Sequence, residues 1–139
     1  ASDIDTETLT FAERGMYPLA KLTGLTRTQV RRYFLCGSGR NDGLAVVRPE
    51  IRALIDFRHV NLSDSSWQVP DRLDAIFCRN VMIYFSRASQ GEVLHRFARH
   101  LAPDGLLFAG HSENILYVAG DAYRSHGKTI YQVTGAAET

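Results

Sequence analysis

Two short apolar runs, at 73–78 and 106–110, flank a segment of helical period, and this alternation constrains the fold more than any other feature. Short apolar runs bounded by turn residues have the texture of strands buried on both faces. Between them, Val93, Leu94, Phe97, Ala98 and Leu101 recur at helical spacing within 86–101. Strand, helix, strand is the crossover that a parallel pair requires. Pro103, Asp104 and Gly105 mark the turn into the second strand. A turn at His126 and Gly127, between two extended stretches of 123–133, predicts a terminal hairpin. The implied class is α/β, a sheet finished by antiparallel strands.

Upstream, residues 1–5 read as the end of a strand running into a helix over about 6–14, which Gly15 is placed to stop. Thr26 and Gln29 form a capping box for a second helix. Val30, Tyr33 and Phe34 mark its apolar face, while Arg27 and Arg31 share another. That arginine pair reads as a solvated face, with a docking surface for an acidic partner as the alternative. The texture then changes. Gly37, Gly39 and Gly43 punctuate a polar loop, 44–48 is β-rich, and Pro49 opens a helical turn over 49–54. A second extended run covers 55–62. These features predict a small β-rich insert at about 37–60, and 135–139 reads as a tail.

Composition narrows the class of function. A chain of 139 residues suits one domain, and 45% hydrophobic against 22% charged residues is globular rather than disordered. Sixteen basic and fifteen acidic side chains leave a net charge of +1, too little for bulk binding to nucleic acid or to an anionic membrane. Two cysteines make neither a disulfide framework nor a zinc site. No apolar run approaches the roughly 18 residues of a membrane span, and no signal-peptide layout opens the chain. A cytoplasmic protein without direct membrane insertion is the expectation. Only Lys21 and Lys128 are lysines; this arginine bias suits carboxylate and phosphate recognition, although a compositional bias of the genome is the commoner cause.

Ligands of open α/β sheets bind beyond the carboxyl ends of the strands. Four places meet that geometry: Asp3, Asn61 with Leu62, Cys78-Arg79-Asn80, and Gly110-His111-Ser112-Glu113. An acid such as Asp3 accepts two hydrogen bonds from adjacent ribose hydroxyls, or serves as a helix N-cap. Asn61 offers the donor and acceptor that an adenine edge needs, or fixes its own turn. Arg79, directly after a buried strand, needs a carboxylate, a phosphate or a ligand. Tyr84 lies close enough in sequence to project toward the same crevice. His59, His95, His100, His111 and His126 show no metal-ligand spacing, so no metal is expected, and no glycine-rich phosphate loop precedes a helix.

The string Phe77-Cys78-Arg79-Asn80-Val81-Met82-Ile83-Tyr84-Phe85 resembles the signature of the chemotaxis receptor methyltransferases, the CheR family. Ala1 to Thr6, Arg32-Tyr33-Phe34, Val60-Asn61-Leu62 and Gly105 to Asn114 follow in that family's order. The resemblance implies a partial Rossmann-like class I methyltransferase sheet, its first strands missing, with a small antiparallel β insert. It also implies an enzyme that transfers a methyl group from S-adenosylmethionine to glutamate side chains of bacterial chemoreceptors, releasing S-adenosylhomocysteine. Asp3 would then hold the ribose hydroxyls, Asn61 and Leu62 would flank the adenine, and Cys78 and Arg79 would line the cofactor. Arg79 and Tyr84 are the implied catalytic residues. Gly37, Gly39 and Gly43 resemble the pattern of family members that dock a peptide from the receptor's C-terminus.

Two residues depart from the pattern. Cys36 and Val46 stand where peptide-docking relatives place basic side chains. The resemblance also implies that residues 1–139 match the C-terminal part of the domain, without a first strand and its glycine-rich loop. On that basis the chain alone should bind the cofactor weakly and associate through open strand edges. Two alternatives are a module that binds receptor peptides without catalysis and a methyltransferase with another acceptor. The central expectation is that Asp3, Asn61 and Arg79 address one ligand.

Overall fold

The computed structural model describes residues 1–134, so the tail expected at 135–139 lies outside the described residues. The chain divides into two compact units, the first Ala1–Asn61 and the second starting at Leu62.

The first unit opens with strand β1 (Ser2–Asp3) and helix α1 (Thr6–Arg14). Asp5, rather than Asp3, caps α1: its Oδ1 accepts from the Glu7 N–H at 2.8 Å and its Oδ2 from the Thr8 hydroxyl at 2.9 Å. Those bonds hold the Asp5 carboxyl below the usual carboxylate range. Gly15 ends the helix at φ +60°, where a Cβ would also press on Arg52 Cδ at 3.1 Å. β2 (Met16–Pro18) follows, then α2 (Arg27–Tyr33) with its expected capping box. The Thr26 N–H donates to Gln29 Oε1 at 2.8 Å, and the Gln29 N–H to Thr26 Oγ1 at 3.2 Å. α2 stops at Tyr33, so Phe34 opens β3 (Phe34–Cys36) instead of closing the helix. β4 (Leu44–Val47), α3 (Pro49–Arg52) and β5 (Arg58–His59) complete the unit.

The small sheet has the order β2-β4-β3, antiparallel throughout, with Met16, Val46 and Leu35 in register across it. Of its three strands only β4 lies inside the stretch expected to form the insert; β2 and β3 precede it. Strands of three residues carry no readable alternation, and Pro18, without an N–H, marks an edge strand rather than an interior one. The run at 55–62 is extended only at β5, which pairs in parallel with β1, Ser2 opposite Arg58 and Asp3 opposite His59. It therefore belongs with β1 and not with the small sheet.

The second unit contains β6 (Leu73–Cys78), α4 (Arg87–His100), β7 (Leu101–Ala109), α5 (Ile115–Ala119), β8 (Tyr123–Gly127) and β9 (Ile130–Val133). Its sheet runs β6-β7-β9-β8, with β6 and β7 parallel and the rest antiparallel. Val93, Leu94 and Phe97 on α4 are buried, as their spacing predicted. Leu94, Leu107 and Tyr123 are the largest side chains fully withdrawn from solvent, and the Tyr123 hydroxyl donates to the Leu94 carbonyl at 2.8 Å. Trp67 packs on Phe97, ring centroids 5.2 Å apart, with the Arg96 guanidinium 4.7 Å above its ring.

Three expectations shift here. Among the described residues β6 is an edge strand, not one buried on both faces, and Phe77 is 72% exposed. Leu101 belongs to β7, and Pro103 to Gly105 form an irregularity within that strand: the register passes from Leu73–Leu101 to Ala75–Leu106. Gly105 is required there, because a Cβ would lie 2.9 Å from the carbonyl oxygens of Ala102 and Leu73. The hairpin turn sits at Lys128 and Thr129, two residues beyond the expected position, since Gly127 pairs with Ile130. Thr129 holds φ +61° and its carbonyl accepts from the Ala109 N–H at 3.0 Å, which anchors the turn to β7.

Candidate functional site

In the first unit, parallel pairing brings Asp3 and Asn61 to the same, carboxyl, end of β1 and β5. The Val60 N–H donates to the Asp3 carbonyl at 3.0 Å, and Asn61 follows directly. Asp3 Oδ1 accepts from the Asp5 N–H at 2.9 Å. Its Oδ2 meets no donor among the described residues, so one face of the carboxylate stays open to an incoming hydroxyl. Leu62 begins the second unit, and its carbonyl accepts from Arg96 Nη1 at 3.2 Å.

The second unit gathers Cys78, Arg79, Asn80 and Tyr84 beyond the end of β6. Cys78 closes the ladder opposite Ala109 and is 7% exposed. Burial, and then the Glu113 carboxylate, push its thiol up to about 12, so it remains an uncharged SH at neutral pH. Arg79 is exposed, and no hydrogen bond or ion pair engages its guanidinium among the described residues. Asn80 turns the chain at φ +60°, a conformation that asparagine tolerates better than most side chains. A single helical turn over Met82–Tyr84 then presents Tyr84, which is 83% exposed.

Glu113, which the sequence placed at a strand end without assigning it a role, is central to this loop. It is the one charged side chain found buried among the described residues, 7% exposed. Its Oε1 accepts from the Val81 N–H at 3.1 Å and the Met82 N–H at 2.9 Å, and its Oε2 from the Gly110 N–H. The available signal was an acid three residues after a glycine that ends a strand. Gly110 itself is closely packed: a Cβ would lie 2.8 Å from Asn80 Oδ1 and from Glu113 Oε2. The helix α5, also not foreseen, is capped by Asn114, whose Oδ1 accepts from the Tyr117 N–H at 3.3 Å.

Gly37, Gly39 and Gly43 have local reasons to be glycine. A Cβ at Gly37 would fall 2.0 Å from the Asn41 carbonyl oxygen, while Gly39 and Gly43 hold φ +59° and +80°. Beside them, Met16, Leu35, Leu44 and Val46 line a shallow apolar depression of about 130 Å³ that Cys36 and Gly37 border. Cys36 is exposed and, like Cys78, free. Among the described residues no cluster of three potential metal ligands forms, and no helix is long and apolar enough to cross a membrane.

A mixed α/β chain with chemically active side chains at the carboxyl tips of parallel strands defines the class: a domain that binds a small ligand beyond its sheet. The family model of the CheR methyltransferase, SAM binding domain, matches residues 1–131. The chain is 49% identical over 134 residues to the chemotaxis protein methyltransferase of Klebsiella aerogenes, covering 96% of this chain and 46% of that protein. It is 48% identical over 131 residues to chemotaxis protein methyltransferase 2 of Pseudomonas aeruginosa, covering 94% and 46%. The Escherichia coli chemotaxis protein methyltransferase matches at 48% over 134 residues, covering 96% and 46%. The chain belongs to the CheR methyltransferase family, whose cofactor is S-adenosylmethionine, and it spans about half the length of these relatives.

Proposed function

We propose that this chain is part of an enzyme that methylates glutamate side chains of bacterial chemoreceptors, and that it supplies the carboxylate-orienting half of the site. The observation that carries this reading is Arg79, an unpaired, exposed guanidinium at the tip of a strand, next to a buried uncharged thiol. When bound, S-adenosylmethionine supplies an electrophilic methyl group on a sulfonium sulfur. A glutamate carboxylate is ionised at neutral pH, so it needs no general base. What remains is alignment, and the planar fork of Arg79 can hold the acceptor carboxylate in one orientation. Because no acid among the described residues engages Arg79, its charge remains available to substrate. Cys78, kept as SH, does not compete as a nucleophile for the methyl group. Tyr84, exposed on the same loop, would close the site on the substrate side.

The open oxygen of Asp3 fits a ribose hydroxyl, with Asn61 and Leu62 beside the adenine. Parallel strands carrying these residues at their carboxyl ends agree with a Rossmann-like class I methyltransferase sheet. The test is Arg79→Ala in the intact enzyme, assayed by radiolabelled methyl transfer onto a receptor cytoplasmic fragment. Activity should fall by roughly two orders of magnitude or more, the scale of lost positioning, with circular dichroism unchanged. Near-normal turnover would overturn the assignment.

A second reading concerns the small sheet, and the exposed apolar depression at Met16, Leu35 and Val46 favours it. An extended peptide from a receptor's C-terminus can add to an edge strand, main-chain bonds supplying affinity and the depression a side-chain pocket. With Cys36 and Val46 in place of basic side chains, such a peptide would be held by apolar contact rather than by charge. Calorimetry with receptor C-terminal peptides checks this: binding insensitive to salt is expected, and no binding at millimolar peptide would exclude it.

A further inference from the structure

We propose that Glu113 is a positioning residue for methyl transfer, tying the loop after β6 to the loop after β7 and thereby setting the direction of Arg79 and Tyr84. The inference rests on the functional reading above.

A buried carboxylate is costly unless its oxygens are fully engaged. Among the described residues no cation compensates Glu113; three backbone N–H groups do, those of Val81, Met82 and Gly110. They come from two different strand ends. The β6–β7 ladder stops at Cys78 and Ala109, so beyond that point nothing in the sheet itself holds the two loops together. Glu113 takes over where the ladder ends. Gly110 allows the approach, since any Cβ would collide with both Asn80 and Glu113.

The location matters as much as the bonds. Val81 and Met82 lie between Arg79 and Tyr84 in the chain. Neither of those two side chains has a hydrogen-bond partner of its own among the described residues. Their placement is therefore inherited from the backbone between them. Glu113 holds that backbone by its N–H groups, while Gln90 Nε2 donates to the Met82 and Phe85 carbonyls at 2.9 and 3.1 Å; of the two, only Glu113 ties it to the loop after β7. Asn80 at φ +60° adds a bend to the same backbone. A purely structural filler at position 113 would be better served by an apolar side chain; three convergent N–H groups instead specify a carboxylate.

Glu113→Gln tests this in the intact enzyme. The amide oxygen can still accept from Val81 and Met82, but its NH₂ then faces the Gly110 N–H, donor against donor. Receptor methylation should lose about 10- to 100-fold in kcat, the scale of a small misalignment, with KM for the receptor and Kd for S-adenosylmethionine nearly unchanged. In an Arg79→Ala background the same substitution should cost less than about twofold, because both act through one loop. Hydrogen exchange should show the Val81, Met82 and Gly110 amides deprotected while the Leu107 amide stays protected. Should the glutamine variant prove too unstable to assay, Glu113→Asp, one methylene short, should give the same kcat-only loss. Unchanged kcat, an additive loss with Arg79→Ala, or retained protection of those amides would each overturn the proposal. A wild-type enzyme that methylates no receptor would instead overturn the functional reading, and the exchange pattern would still decide whether Glu113 fixes the loop.

Discussion

The two units hold themselves together in different ways. In the second, Leu94, Leu107 and Tyr123 are fully withdrawn from solvent and Val93, Phe97, Leu101 and Ile115 nearly so. In the first, Ala45 is the one apolar side chain in the buried core, while Ile4, Phe11, Met16, Leu35 and Leu54 are exposed. At about 25 cal/mol per Å² of apolar surface removed from water, that difference dominates the energetics. The second unit is stabilised by packing. The first depends on short-range devices: the Asp5 cap, the Thr26–Gln29 box, the Gly15 stop and glycines at positive φ. The contrast extends to the proposed sites: the packed unit carries the Arg79 loop that Glu113 ties, and the lightly packed one carries the apolar depression.

The sharpest way to break this contrast is a cavity in the packed unit. Leu107→Ala should cost about 2–5 kcal/mol in urea unfolding, the range for a fully buried leucine. Hydrogen exchange should show the loss in β6, β7 and β9 and not in β2, β3 and β4. Equal deprotection of both units would mean that they are not independent. The matching test in the first unit is smaller. Thr26→Ala removes one side of the capping box and should cost about 1 kcal/mol, read as lost amide protection over 27–33. A loss as large as that of Leu107→Ala would show that a cap does the work here ascribed to a core.

The smallest effect is one of pH. His95 Nδ1 faces the Gly91 carbonyl and Nε2 the Asp121 carboxylate, each at 2.8 Å, so both ring nitrogens are best satisfied as donors. The Asp121 bond, and then the Gly91 bond, raise the His95 pKa above its ordinary 6.5, while the His95 bond lowers that of Asp121 below 3.8. A raised histidine contributes stability that is fully present below about 6.5 and is lost as pH rises through the folded value. A depressed aspartate contributes stability present above about 3.8 and lost as pH falls through its folded value. The pair therefore supports the fold best between those limits. Asp121→Asn should flatten the upper limb of a melting-temperature profile above pH 6.5, where the raised histidine loses its proton. An unchanged profile would show that the pair contributes nothing.

What could be read in advance follows the same division. The helix over 6–14 and the capping box were legible because each depends on residues three or four positions apart. α4 was legible because a core imprints its period on one face. The loop residues Cys78, Arg79 and Tyr84 stood out through a nine-residue string. The strands β2 and β3 were not legible, since three residues define no alternation and their partners in β4 lie 9 to 30 positions away in the chain. The same reason hid the pairing of Arg58 with Ser2. Glu113 was hidden more deeply: an acid after a glycine-ended strand looks solvated until its three N–H partners, two of them more than 30 residues distant, are in place.

The order of the amino acids by itself determined the local elements, the strand-end candidates and the family, because caps, helical period and short motifs act between neighbours. Which strand lies at an edge, where the small sheet begins, and that one buried carboxylate joins two loops were decided only by tertiary structure. Hydrogen bonds between residues far apart in the chain leave no periodic trace in it; they exist only once the backbone has brought their donors and acceptors together.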